Sequence, residues 1–206
     1  MSALPEFHLP EPAILAELNK DHRHLAQVLE VFEDQYRAFE TDEGPDYQLL
    51  RDILDYVQSF PDAIHHPTED ALFDYLLRNA ALSSDEQQVV IDNRHQHGEL
   101  IEMTRSLLGL IDHVFNNGIV DGAELKLTMS RYLSEQHRHM SFENDCLFPL
   151  AEARLSNRDW ATLDYQLSQA RDPLFDAYDE QYEILRRYIE ATKPPATAAE
   201  AAQPVI

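Results

Sequence analysis

Residues 83–118 read SSDEQQVVIDNRHQHGELIEMTRSLLGLIDHVFNNG. Ser83-Ser84-Asp85-Glu86 is a capping box, in which a serine hydroxyl and a glutamate three residues on satisfy each other's free backbone N–H groups. Asn117-Gly118 supplies the stop, and no proline interrupts the interval. Val90, His97, Ile101, Thr104, Leu108 and Ile111 recur at helical spacing and share one face. A helix this long with a single apolar stripe must bury that stripe against partners.

The rest of the chain supplies them. Upstream, a helix opens at Glu11-Pro12 and runs to about Glu40, where Thr41-Asp42-Glu43-Gly44-Pro45 breaks it. A second spans about Asp46 to Ala80, and Pro61 and Pro67 each cost it a backbone hydrogen bond and bend it. Downstream, a fourth starts near Gly122 and continues to about Arg154, with Leu125, Met129, Tyr132, Cys146 and Leu150 in register. With only 5 glycines and no strand-like alternation, the expected fold is all-α. It is an antiparallel up-down-up-down four-helix bundle over residues 11–155 with a C-terminal helical extension. Residues 1–10 form an N-terminal arm, 156–192 hold the extension, and 193–206 form a disordered tail. The extension, opened by the cap Ser156-Asn157-Arg158-Asp159 and carrying Trp160, either packs across the bundle or makes a homodimer contact.

The 206 residues carry 38 acidic and 16 basic side chains, a net charge of −22. That balance excludes nucleic acid and anionic membrane as main partners, because no basic stripe offsets the repulsion. The single Cys146 rules out an internal disulfide. The first residues lack the basic and apolar regions of a secretion signal, and no segment is apolar for the roughly 20 residues a membrane span needs, so a cytoplasmic protein is expected.

Of 10 histidines, eight fall in four groups, one on each helix: His22/His24, His65/His66, His95/His97 and His137/His139. Helical register separates the members. His22 continues the stripe Leu15, Leu18, Leu25, Leu29, and His97 belongs to the stripe of the third helix. His139 and Glu143 lie on the run Met129, Tyr132, Gln136, Cys146, Leu150. His24, His95 and His137 turn away. On the second helix both His65 with Glu69 and His66 with Asp70 have i, i+4 spacing; His65 and Glu69 are preferred because they lead to Leu72 and Leu76. Counted from the helix ends, these positions all lie roughly 15 to 24 Å from one face of the bundle, so they can meet in one layer.

Four imidazoles and two carboxylates inside an apolar bundle are costly to bury unless a cation satisfies them. The mixture suits iron, manganese or zinc, and two carboxylates can bridge two cations that each take two imidazoles. A buried polar network without metal is the alternative.

The elements Asp21-His22-Arg23, His65-His66-Pro67-Thr68-Glu69-Asp70, Gln96-His97, and His139 to Glu143 continuing through Asn144-Asp145-Cys146-Leu147-Phe148-Pro149 resemble the hemerythrin-like HHE cation-binding family over about residues 11–155. The resemblance implies two non-haem iron ions, oxo- or hydroxo-bridged, held by His22, His65, Glu69, His97, His139 and Glu143 with the glutamates bridging. It implies O2, NO or peroxide as the small-molecule partner: binding or sensing first, an enzyme acting on peroxide or in iron-sulfur repair second, iron storage or delivery third. Oxygen-carrying relatives have a fifth histidine one turn from the third-helix ligand, where this chain has Asn93 and Ile101. Two imidazoles per iron would leave both metals an exchangeable position, unless a bent helix brings in His66, His95 or Glu99. Cys146 reads as a core thiol with tuning of the site as the alternative, and Tyr132 and Tyr36 as core aromatics that can donate hydrogen bonds.

Overall fold

Helix starts in the computed structural model follow the local chemistry of the chain. The structure describes residues 11–41, 44–116, 118, 120–167, 171–177 and 179–192; the expected arm 1–10 and tail 193–206 lie outside them. α1 (Ala13–Ala38) begins directly after Pro12, whose fixed φ suits a helix start. Gly44, at φ +68°, takes the left-handed turn that leads to Asp46, and the Asp46 carboxylate accepts the Leu49 N–H to open α2 (Tyr47–Ser59). α3 is His66–Asn79 and α4 Ser84–Phe115, the latter opened by the complete Ser83/Glu86 capping box. Asp121 caps α5 (Gly122–Phe142), and α6 is Phe148–Arg154. The extension holds α7 (Asn157–Gln166), with its own Ser156/Asp159 box, and α8 (Glu183–Thr192). Among the described residues every regular element is helical.

The second and fourth bundle helices are each interrupted by one wide π-helical turn. Residues 61–65 form the first, closed by His66 N–H donating to the carbonyl of Pro61, five residues back. Residues 143–147 form the second, closed by Phe148 N–H donating to the Glu143 carbonyl. Both turns end two residues before a proline, Pro67 and Pro149. A proline in a regular helix clashes with the carbonyl four residues back and cannot bond to it, and a widened turn relieves both problems.

α1 packs against α2 and α5, and α4 against α2, α3 and α5, so chain neighbours are bundle neighbours and the ring closes between α5 and α1. Two apolar clusters fill it. One contains Leu25, Val28 and Phe32 of α1 with Leu50, Val57, Leu107, Met129 and Tyr132. The other contains Leu15, Leu18, Leu72, Leu76, Val90, Leu147 and Phe148. Along each bundle helix the inward-facing histidines lie at the junction of the two clusters. The extension packs across the bundle: Trp160 and Leu163 of α7 complete the second cluster, and Leu185 and Ile189 of α8 complete the first. No helix among the described residues is long and apolar enough to cross a membrane.

Candidate metal centre

Each bundle helix brings its histidine to the centre and holds a neighbour's. His22, His65, Glu69, His97, His139 and Glu143, the six residues singled out in the sequence, meet in one layer and are at most 4% exposed. Glu69 Oε1 lies 3.3 Å from His22 Nε2 and 3.2 Å from His65 Nε2, while its Oε2 lies 3.6 Å from His97 Nε2. Glu143 Oε2 lies 3.3 Å from His22 Nε2 and 3.2 Å from His139 Nε2, and its Oε1 3.1 Å from His97 Nε2. Each glutamate therefore reaches imidazoles on both sides of the layer.

His66 joins them beside the preferred His65, through the bend that the sequence left open for it. It is 2% exposed and stacks on His97 with ring centroids 4.6 Å apart. Ligand atoms of His66, Glu69, His97 and His139 lie within 4.8 Å of one another, as do those of His22, His65 and Glu69. The π-helical turn is the reason: in a regular helix adjacent residues diverge by about 100°, but here the widened turn lets both His65 and His66 face inward. The donors thus divide into three imidazoles on one flank and two on the other, replacing the expected two and two. His95 and Glu99 stay on the surface.

The outer ring nitrogens follow a circular pattern. His65 Nδ1 is 3.1 Å from Asp21 on α1, and His97 Nδ1 is 2.9 Å from Asp70 on α3. His139 Nδ1 is 3.2 Å from the Gln96 amide on α4, and His22 Nδ1 is 2.9 Å from Asn144, in the π-helical turn after α5. Asp21, Asp70, Gln96 and Asn144 each sit beside a donor in sequence and serve the histidine of the next helix around the bundle. His66 Nδ1 has Asp62 at 3.5 Å. Fixing Nδ1 from outside aims Nε2 at the centre, the arrangement metal-binding histidines use. These partners escaped the sequence reading; their signal was adjacency to a donor, but their targets lie on other helices. Asn93, which the sequence reading set aside as a ligand, donates to Glu143 Oε1 at 2.8 Å and so orients that carboxylate.

The layer's own groups do not satisfy it. His65 Nε2, His139 Nε2, both Glu69 oxygens and Glu143 Oε2 are buried without a hydrogen bond. Burial presses both carboxyls upward, yet His65 and His22 around Glu69, and His139, His22 and His97 around Glu143, hold both below the usual carboxylate range. Burial also opposes charge on the imidazoles. The carboxylates overcome it at His22, which is raised well above its ordinary value, at His65, raised to about 9, and at His97, raised to about 10. Burial prevails at His66 and His139, which are lowered. Two buried carboxylates therefore demand positive charge, and orphaned nitrogen and oxygen donors face one another across the space where a cation would supply it. The donor set fits a pair of divalent or trivalent cations of the borderline kind.

A model of the hemerythrin HHE cation-binding domain matches residues 13–151, more than half of the chain. The chain belongs to the hemerythrin HHE cation-binding family. No curated protein and no solved structure matched it. The matched region ends inside α6, so α7 and α8 are additions to the family bundle.

Two residues, Cys146 and His24, depart from their expected places. Cys146 is exposed, because the turn at residues 143–147 rotates it out of the core stripe. His24 is only 18% exposed at its side chain: it stacks on Phe175 at 4.0 Å, and its Nδ1 lies 3.1 Å from Asp172. Asp172 in turn accepts Tyr56 O–H at 3.0 Å and Leu174 N–H at 2.9 Å, so this group fastens the extension to α1 and α2. Tyr36 packs at the edge of the first apolar cluster, about 21 Å along α1 from His22.

Proposed function

We propose that this protein holds two iron ions in the histidine and glutamate layer and binds or senses a small diatomic ligand, O2 or NO. The observation that carries the reading is the uneven donor set. His66, His97 and His139 with the two glutamates supply five donors to one flank, whereas His22 and His65 with the same glutamates supply four to the other. The flank served by His22 and His65 is the one short of protein donors, and an exchangeable position belongs there. Iron in such a site supplies reversible ligand binding and one-electron chemistry.

The chain's own residues do the rest. Asp21 and Asn144 hold the two imidazoles of the open flank, and Phe148 stacks on His22 with ring centroids 5.3 Å apart. Glu69 and Glu143 span both flanks and balance charge between them.

Anaerobic purification, metal analysis and optical spectra on exposure to O2, NO and then peroxide test this. The expected result is about two irons per chain, given the two donor groups, with a band that forms and reverses. Rapid loss of peroxide with the centre intact would make the protein an enzyme instead. Zinc alone, or no metal, would remove the function proposed.

A further inference from the structure

The layer is enclosed, yet one pocket reaches a donor from outside. Between α1 and α5 lies a pocket of about 340 Å³ with His22 and Met140 at its base and Arg23, His137 and Asn144 around it. In a chain with 38 carboxylate side chains, none lines this pocket. Register explains it. Three and four residues either side of Arg23 stand Asn19, Lys20, Ala26 and Gln27; around His137 stand Leu133, Ser134, Met140 and Ser141. Neither side chain has an acidic neighbour on its own helix face, and among the described residues Arg23 makes no ion pair.

A second groove, of about 740 Å³ between α4 and α5, gives the contrast. It also touches the outer ring of the centre, at Gln96, and it holds two arginines, Arg131 and Arg138. Glu99, Glu102 and Glu135 line it, however, and Glu135 already binds Arg138 Nε at 3.0 Å. In that groove three carboxylates stand among the guanidinium groups of Arg131 and Arg138, whereas the pocket between α1 and α5 presents Arg23 with no carboxylate in its lining. Asn144 completes the difference: its Oδ1 is occupied by His22 Nδ1 at 2.9 Å, which leaves its amide N–H groups as the available end.

We propose that the pocket between α1 and α5 binds a small planar oxyanion of the carboxylate or nitrite type. The Arg23 fork takes two oxygens, and the N–H groups of Asn144 and His137 complete the cradle. The pocket lies against the outer edge of His22, so a bound anion would touch the hydrogen bond that aims this imidazole at the centre; that consequence rests on the two-cation reading of the centre, whereas the binding itself rests on Arg23, Asn144 and His137.

The test is a nuclear magnetic resonance titration of the full-length protein, isolated from zinc-supplemented culture, with sodium nitrite and sodium formate against sodium chloride at constant ionic strength. Metal content is measured on the same samples. Saturable shifts confined to Arg23, His137 and Asn144 are expected, weakened at least about tenfold in Arg23→Gln, the loss of one charge-assisted contact, and unchanged in Arg138→Gln. Shifts that match those in chloride, or that survive Arg23→Gln, overturn the proposal. Saturable shifts in a metal-free sample support the pocket while removing the two-cation reading. Two bound metals with no shift at these residues leave the centre standing and overturn the pocket.

Discussion

The second and fourth bundle helices both carry a His-x-x-x-Glu pair, and both widen into a π-helical turn two residues before a proline, yet they furnish different numbers of donors. On the second helix the turn leads into the histidines, ending at His65 with His66 opening α3, and His65, His66 and Glu69 are all buried. On the fourth it begins at Glu143, after His139 has been placed by a regular helix, so that pair keeps its ordinary spacing and only the residues beyond are rotated. The same backbone device thus adds a donor in one place and expels a cysteine in the other. What decides the outcome is whether the extra residue comes before or after the ligands.

The sharpest way to break the comparison is to remove what the two helices share. Glu69→Ala and Glu143→Ala each delete a carboxylate that reaches both flanks, so each should abolish stoichiometric binding of both cations, measured as metal per chain after gel filtration. Retention of two metals in both variants would end the bridging assignment. Folding should survive, because imidazoles that lose a carboxylate partner can shed their protons and stay neutral in the layer.

The difference between the helices is tested at the adjacent histidines. His66→Ala should empty or weaken the three-imidazole flank and leave the other, and His65→Ala should do the reverse, in each case lowering metal content toward about one per chain, with metal affinity down at least tenfold on the affected side. Deleting the exposed Ala63 removes the extra residue of the first turn and should mimic one of the two. Equal effects of both alanine variants on both flanks would mean that the two histidines do not serve separate cations.

This contrast also marks how far the sequence could be read. Caps, breaks and stripes located every bundle helix, because capping boxes and apolar periodicity are local signals; the Ser83 and Ser156 boxes form as expected. Register placed His22, His97 and His139 correctly in the layer because the helix is regular through each of them. It could not choose between His65 and His66, since Pro67 announces a lost hydrogen bond without saying how the chain accommodates it. Pro149 hides a second register change, so apolar spacing alone places Cys146 in the core, where the structure exposes it. The burial of His24 was illegible for another reason: Asp172 and Phe175 lie about 150 residues away, and nothing local points to them.

Charge extends the comparison to pH. With the cations chelated, His65 and His97 carry raised values of about 9 and 10 against about 6.5 in an unfolded chain. A raised folded value contributes stability that is complete below about 6.5 and disappears as pH climbs through 9 to 10. The lowered His66 and His139 act at the acid end, where the unfolded chain takes up protons that they do not. The chelated protein should therefore lose at least about 5 °C of Tm between pH 7 and pH 10.5, at about 2–4 °C per kcal/mol for a chain of this size, while the loaded protein stays nearly flat. In the loaded form cations replace the protons that balance Glu69 and Glu143, and acid competes with them instead. Parallel curves for the two forms would show that the layer does not rely on imidazolium when the cations are absent.

The smallest effect belongs to the residue that the second turn expels. In a regular helix Cys146 would stand one turn after Glu143 on the inner stripe, and replacing it with serine would leave a hydroxyl against the core at a cost of about 1–3 kcal/mol. Turned to solvent, it should tolerate Cys146→Ser within about 0.5 kcal/mol, with metal content and spectrum unchanged. Its neighbour gives the matched control: Leu147, fully buried by the same rotation, should lose about 2–5 kcal/mol on truncation to alanine. The two residues are adjacent, so their relative cost in chemical denaturation reads the helical register directly. A costly Cys146→Ser beside a mild Leu147→Ala would restore the regular helix and, with it, the simple spacing from which the fourth helix was first read.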